Sequence, residues 1–330
     1  MGSRAKIVCL GAGRMGRGIA VAFAYSGHTV TMIDVKARSA EEFAKLEADA
    51  HGEIGKTFAS LSKLGLLIEA DIDPLIARVS VVSAGESGEA LSDAGIVFEG
   101  VPEVVELKRE VLGEASRQVR ADTIIASTTS TILVDDLSGA IVNPRRFLNV
   151  HWLNPAYLIP LVEVSPGKAT DPAIIDEVKA LLEGIGKMPV VCAATPGFIV
   201  PRIQALAMNE AARMVEEGVA SAEEIDKAIR YGFGFRYAVL GLLEFIDWGG
   251  GDILYYASRY LEGALGSDRY RAPDVITRNM HEGRIGLRTG AGFLDYSGLD
   301  IDAYRAKRLQ AMVDLLRHFD LARPPVLDRG

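Results

Sequence analysis

The 330-residue chain carries 36 basic and 44 acidic side chains, a formal net charge of −8, which argues against nucleic acid or an anionic membrane as its main partner. Apolar residues make up 49% and charged residues 24%, the balance of a soluble globular protein long enough for two domains with buried cores. Two cysteines, Cys9 and Cys192, sit in apolar strand-like runs and read as small core residues, so a reducing, cytoplasmic setting is expected.

The first apolar run, residues 7–10, has the length and β-branched content of a buried strand and ends at a glycine turn, which is not signal-peptide architecture. No apolar run is long enough to cross a bilayer. Gly11-Ala12-Gly13-Arg14-Met15-Gly16 follows, then an Ala-rich helical pattern to about residue 25, a break at Gly27, and a second strand ending in Asp34. Gly11 permits the tight turn, Gly13 lets a pyrophosphate approach the backbone, and Gly16 lets helix and strand pack closely. The free N–H groups at the helix start, around Arg14 and Met15, then face the phosphates. Asp34, 18 positions after Gly16, can accept bonds from ribose hydroxyls and would repel a 2′-phosphate, so the cofactor is read as NAD. Lys36 and Arg38 follow closely and are the cations that could favour NADP; they are read instead as solvated residues opening the next helix.

Residues 37–70 have helical spacing, punctuated by Gly52, Gly55 and Gly65, and exceed an ordinary crossover; a helical insertion reaching over the sheet is expected. A short helical turn over 71–78 leads to a strand at 79–83. Another strand, 96–99, ends at Gly100-Val101-Pro102-Glu103, and a helix with a solvated charged stretch at 106–110 spans about 104–119. The strand at 123–127 runs into Thr128-Thr129-Ser130-Thr131. Glu103 and Ser130 therefore lie just past strand carboxyl ends, where ligands bind in open α/β sheets. Residues 147–164 read as two strands joined by a turn containing Asn154-Pro155, followed by a helix at 171–185 and a last strand at 188–192.

The pattern changes character at 193–196 and is helical thereafter, so the chain is divided into an α/β dinucleotide-binding domain, 1–194, and an all-α domain, 195–330. Helices are expected over 198–218, from a Ser221/Glu224 capping box, over 240–248 and 252–265, and over 303–318. There is no internal repeat, low-complexity tract or metal-ligand cluster.

His151 and Glu163 are 12 positions apart and flank the strand–turn–strand return, so antiparallel pairing would set them face to face. A carboxylate on one imidazole nitrogen fixes the tautomer and leaves the other free to take a hydroxyl proton. The structural alternative is a core histidine with a satisfied hydrogen bond.

Several stretches resemble the L-3-hydroxyacyl-CoA dehydrogenase family: GAGRMGRGIA, VPEVVELKREV, STTST, HWLNPAYLIPLVEV, TPGFIVPRI and GLRTGAGFLDY. The resemblance implies a Rossmann-type domain plus an all-helical domain that forms a homodimer. It puts the catalytic His and its Glu partner on His151 and Glu163, and the serine that bonds the substrate hydroxyl on Ser130. It puts an Asn near substrate and nicotinamide on Asn154, and cofactor contacts on Glu103 and Lys108. The alternative for Ser130 is a turn hydroxyl bonded to its own backbone, and for Lys108 a solvated helix face.

Two departures bear on substrate. Pro201 stands where the family usually has Asn, and a proline cannot donate a bond. Around the segment TFASLSKLGLL of the insertion, only Lys56 and Lys63 are candidates to meet the phosphates of CoA. The segment around Arg236 and HWLNPAYLIPLVE look more like members acting on free hydroxy acids, such as gulonate or carnitine dehydrogenases. Arg236, a lone cation in an apolar, Gly-rich stretch, would pair with a substrate carboxylate, or else with an acid such as Glu244. The expected activity is NAD-dependent hydride transfer at the 3-hydroxyl of an acyl-CoA, as in the fatty-acid metabolism of that family. The alternatives are a dehydrogenase of a free 3-hydroxy acid and a non-catalytic NAD-binding structural protein.

Overall fold

The computed structural model describes residues 5–326, and the chain divides into a compact unit ending at Met208 and a second beginning at Asn209. The first unit runs β1 (Ile7–Leu10), α1 (Arg14–Tyr25), β2 (Val30–Asp34), α2 (Ala40–Lys63), α3 (Ile72–Ile76), β3 (Val79–Ser83), α4 (Gly88–Asp93), β4 (Ile96–Glu99) and α5 (Val105–Ser116). It continues through β5 (Ile124–Ser127), α6 (Val134–Ser138), β6 (Phe147–Trp152), β7 (Leu161–Pro166), α7 (Pro172–Gly184), β8 (Met188–Val191) and the start of α8 (Val200–Glu216).

The eight strands form one sheet in the order β3-β2-β1-β4-β5-β6-β7-β8, and every adjacent pair is parallel except β6 and β7. Strand alternation feeds two cores. Ile7 and Cys9 of β1 join Phe23, Phe58 and Trp152 in one cluster, while Val8 and Leu10 join Leu112, Val134 and Phe147 in the other. With both faces covered, the strands are continuous apolar runs, as parallel sheets require. Cys9 is buried, and that burial pushes its thiol up to about 12.

The inserted helix is shorter than the sequence spacing suggests. Ser39 caps α2, its Oγ accepting from Glu42 N at 3.2 Å while Glu42 Oε2 accepts from Ser39 N at 2.9 Å. The helix passes through Gly52 and Gly55 without a break; a Cβ added at Gly55 would come within 3.2 Å of Ile76, so that glycine admits α3. It stops at Lys63, before Gly65 at φ +76°. The short helices α4 and α6 were not legible as periodic segments, because five or six residues do not complete two turns. Cys192 departs from expectation too: it lies just past β8, an edge strand whose Val190 and Val191 are exposed, and it is only half-buried.

The second unit takes up the remainder of α8, then α9 (Ala222–Ala228), α10 (Phe235–Tyr237), α11 (Leu242–Gly249), α12 (Gly251–Leu265), α13 (Asp274–His281) and α14 (Ile301–His318). Ser221 caps α9 by accepting from Glu224 N at 3.3 Å. Asp247, buried in α11, gathers the 286–296 loop: its carboxylate accepts from Phe293 N at 2.9 Å, Leu294 N at 2.8 Å and the Tyr296 hydroxyl at 3.2 Å. Two glycines make room for it. A Cβ at Gly286 would lie 2.2 Å from Asp247 O, and one at Gly292 would lie 2.0 Å from Asp247 Oδ1. No helix among the described residues is long and apolar enough to cross a membrane.

Candidate active site

The glycine turn between β1 and α1 has the form its sequence predicts. Gly11 sits at φ +102°, and a Cβ at Gly16 would fall 2.1 Å from Gly11 O, so helix and turn touch through glycine alone. A Cβ at Gly13 would meet nothing within 4 Å, so the space above it is open. Gly13 offers no side-chain cap to α1, which leaves the first-turn N–H groups at Arg14 and Met15 for an anion. The ends of β4 and β5 close on the same turn: a Cβ at Gly100 would lie 3.7 Å from Met15 Cβ, Gly16 N and Thr128 Oγ1. The open cradle, the uncapped helix start and the strand-end carboxylate fit a dinucleotide.

Asp34 ends β2 and is buried, and its Oδ2 receives Arg38 Nε at 2.5 Å. Arg38 is therefore an ion-pair partner of Asp34 and not a solvated helix opener. Lys36 touches the same carboxylate only through its backbone N–H, at 3.4 Å.

A charged network lies past β4. Lys108, expected on a solvated stretch of α5, is buried, and its ammonium donates to Glu99 Oε1 at 2.8 Å and Val101 O at 3.1 Å and pairs with Glu103 Oε2 at 3.3 Å. Glu99, fully buried, also accepts from Val101 N at 2.7 Å and from Ser127 Oγ at 2.5 Å. Glu103 Oε1 then holds the Thr129–Thr131 turn, accepting from Ser130 N at 3.1 Å, Thr131 N at 3.2 Å, Thr131 Oγ1 at 2.9 Å and the Thr129 hydroxyl. Burial pushes the Glu103 carboxyl up, but the Thr129 bond, the Lys108 ammonium and the Thr131 bond outweigh it and hold the carboxyl below the usual range. The Ser130 hydroxyl has no hydrogen-bond partner among the described residues, which leaves it free for a ligand.

His151 and Glu163 face each other in register across β6 and β7. His151 Nδ1 lies 2.8 Å from Glu163 Oε2, and both residues are buried. The other oxygen, Oε1, accepts from Ile199 N at 2.9 Å and Val200 N at 2.8 Å. Those amides are aimed by the turn before α8, where Gly197 takes φ +77° and Phe198 φ +44°. Phe198 is outside the helix expected to contain it; its ring lies 5.6 Å from the imidazole. With two backbone amides already donating to it, Glu163 serves as an acceptor, so the tautomer that fits carries the imidazole proton on Nδ1 and leaves Nε2 as the acceptor. Asn154, exposed on the turn after β6, lines a cavity of about 340 Å³ with Arg14, Arg17, Ile54, Thr57 and Tyr157. Arg17 is tied to Glu53 beside it and donates through Nε to Ala12 O at 2.9 Å.

Arg236 belongs to the second unit. Its guanidinium stacks 5.3 Å from the Phe245 ring, whereas Glu244 is taken by Arg308 at 2.7 Å and by the Tyr304 hydroxyl. Among the described residues Arg236 forms no ion pair with Glu244.

Sequence reasoning missed Glu99, Arg38 as a partner of Asp34, and the amides of Ile199 and Val200. A buried acid at a strand end carries a signal, being one charge in an apolar run; backbone donors carry none.

A glycine cradle for a dinucleotide, with a buried imidazole–carboxylate pair in the same unit, defines the class of nicotinamide-dependent dehydrogenases. Residues 6–195 match the model of the 3-hydroxyacyl-CoA dehydrogenase NAD binding domain, and residues 197–296 that of the 3-hydroxyacyl-CoA dehydrogenase C-terminal domain. The chain belongs to the 3-hydroxyacyl-CoA dehydrogenase family. It is 33% identical over 293 residues to a 3-hydroxybutyryl-CoA dehydrogenase of Bradyrhizobium diazoefficiens, covering 89% of this chain and 96% of that one. It is 30% identical over 312 residues to the 5-formyl-3-hydroxy-2-methylpyridine 4-carboxylate 5-dehydrogenase of Mesorhizobium japonicum, covering 94% and 97%. A solved 3-hydroxyacyl-CoA dehydrogenase from Archaeoglobus fulgidus superposes with a TM-score of 0.77 at 32% identity, over 97% of this chain and all of that one. The protein is thus an oxidoreductase that uses NAD on a CH–OH group.

Proposed function

We propose that the protein interconverts a 3-hydroxyacyl and a 3-oxoacyl group, with 3-hydroxybutyryl-CoA as the reference substrate, in the fatty-acid metabolism of a cytoplasm. The observation that carries this reading is the 2.8 Å contact between His151 Nδ1 and Glu163 Oε2, with Glu163 fixed from its other side by two amides. His151 Nε2 takes the hydroxyl proton in oxidation and returns it in reduction. Glu163 orients the ring and offsets its positive charge while the proton is held. Ser130 Oγ and the Asn154 amide donate to the reacting oxygen as its charge changes. Gly11, Gly13 and Gly16, with the N–H groups at Arg14 and Met15, hold the pyrophosphate, and Asp34 takes the ribose hydroxyls. Glu103, backed by Lys108, is read as a further cofactor contact. Bound NAD supplies the hydride acceptor. The protein is proposed to act as a homodimer.

A second reading is favoured by specific residues. Pro201 removes a polar group beside the active turn, Arg17 is neutralised by Glu53 in the cavity next to Asn154, and a relative is named for a pyridine carboxylate. In this reading the substrate is a free hydroxy acid and Arg236 binds its carboxylate. The test is NADH formation with 3-hydroxybutyryl-CoA, 3-hydroxybutyrate, gulonate and carnitine, run with NAD and NADP. Turnover of the thioester alone supports the first reading and turnover of a free acid the second; no NADH from any of them overturns both. Arg236→Met should raise the KM of an active free acid about tenfold or more, the worth of a lost charge-assisted pair; an unchanged KM removes Arg236 from the site.

A further inference from the structure

Lys187 is a buried cation that the proposed reaction does not use. It lies between α7 and β8, after Gly186 at φ +77°, and is 5% exposed. Among the described residues no carboxylate lies within ion-pair distance of it. Its ammonium donates instead to two carbonyls of one turn, Ala156 O at 2.7 Å and Ile159 O at 2.8 Å, and sits 5.7 Å from the centre of the Trp152 ring. Burying an ammonium without a counter-ion is unfavourable, and desolvation holds its pKa below the usual lysine range. A core that needed only volume there would take leucine or methionine.

The turn it grips is the one that carries Asn154. Residues 153–160 join the end of β6, which carries His151 and Trp152, to β7. Inside the turn, Leu158 N and Ile159 N both donate to Pro155 O at 3.0 Å. On one side Ala156 abuts α1, where a Cβ at Gly18 would lie 3.1 Å from Ala156 Cβ. On the other side Lys187 supplies the clamp, and Met188 N donates to Pro160 O at 2.8 Å. Asn154 itself is exposed and makes no hydrogen bond among the described residues, so its direction is set by the turn and not by partners of its own side chain.

We infer that Lys187 is a positioning residue, which fixes the 153–160 turn so that the Asn154 amide meets the reacting oxygen. This rests on the reading of Asn154 given above. A misplacement on the scale of an ångström at such a group costs up to about 100-fold in rate.

The test is a double-mutant cycle together with amide exchange. Lys187→Met should lower kcat about 10- to 100-fold with the KM for NAD unchanged, and Lys187→Arg should recover part of the loss. In an Asn154→Ala background, Lys187→Met should cost less than about twofold further, because the two act through one contact. Hydrogen exchange at Leu158 and Ile159 should accelerate in Lys187→Met, whatever the substrate. If Lys187→Met does not fold, Lys187→Gln is carried through the same measurements. Additive losses, an unchanged kcat beside a lowered Tm, or unchanged exchange in the turn each overturn the inference. If the unaltered protein turns over none of the 3-hydroxy compounds, the functional reading fails, and the exchange measurement alone decides whether Lys187 clamps the turn.

Discussion

Glu103 Oε1 lies 3.1 Å from the backbone nitrogen of Ser130, so the acid past one strand holds the serine past the next. The carboxylate does this while its other oxygen pairs with Lys108, which is anchored on Glu99. Its pKa is depressed in the folded state, so its contribution to stability is present above the ordinary carboxylate value and is lost as pH falls through the folded value. Glu103→Gln should therefore melt below the parent protein at neutral pH, and the gap should close on acidification below pH ~4. Melting curves across that range check this; a gap that persists in acid means that the charge of Glu103 is not what holds the turn.

His151→Asn should lower kcat by about 10²–10⁴-fold, the usual worth of a positioned acid–base group, while NAD affinity stays close to that of the parent. Glu163→Gln should lower kcat too, because an amide sets an NH2 donor against either Nδ1–H or the Ile199 and Val200 amides. Steady-state kinetics with cofactor binding measured separately check both. Near-native turnover in His151→Asn would remove the imidazole from the reaction.

Asp34 and Arg38 are together proposed to set the cofactor choice. With Asp34 present, Arg38 is spent on it at 2.5 Å, and a 2′-phosphate would meet a carboxylate. Asp34→Ala frees the guanidinium for that phosphate, and the NADP:NAD ratio of kcat/KM should rise about 100-fold, since removing a like-charge clash is worth several kcal/mol. The gain should vanish in the double variant with Arg38→Ala.

Gly292→Ala should destabilise the second unit by about 1–3 kcal/mol through overpacking, because its Cβ would collide with the Asp247 carboxylate. Thermal melting reads this directly. A parent-like Tm would mean that the loop can shift without losing the bonds to Phe293 and Leu294.

How much of this was open to sequence reading depends on what each residue must do alone. The glycine turn was legible because Gly11, Gly13 and Gly16 each answer a steric demand at fixed spacing. The His151–Glu163 pair was legible because a strand return makes register countable. Lys108 was not, since a lysine on an amphipathic helix reads as solvated until the acids that bury it, Glu99 and Glu103, are known to converge. Arg38 was hidden for the same reason: four residues from Asp34, it could as well have faced water. The amides of Ile199 and Val200 have no side-chain signature at all, and Phe198 at φ +44° disguises the turn that aims them within an apparently helical run.

That last turn has a consequence for reading variants of this protein. Because the carboxylate behind the imidazole is gripped by main-chain nitrogens just after Gly197, damage there would leave every polar side chain of the site in place and still disturb the proton transfer proposed for His151. Inactive alleles are therefore expected to gather at 197–200 as well as at the acidic and basic groups themselves, and a survey confined to polar residues would pass over them.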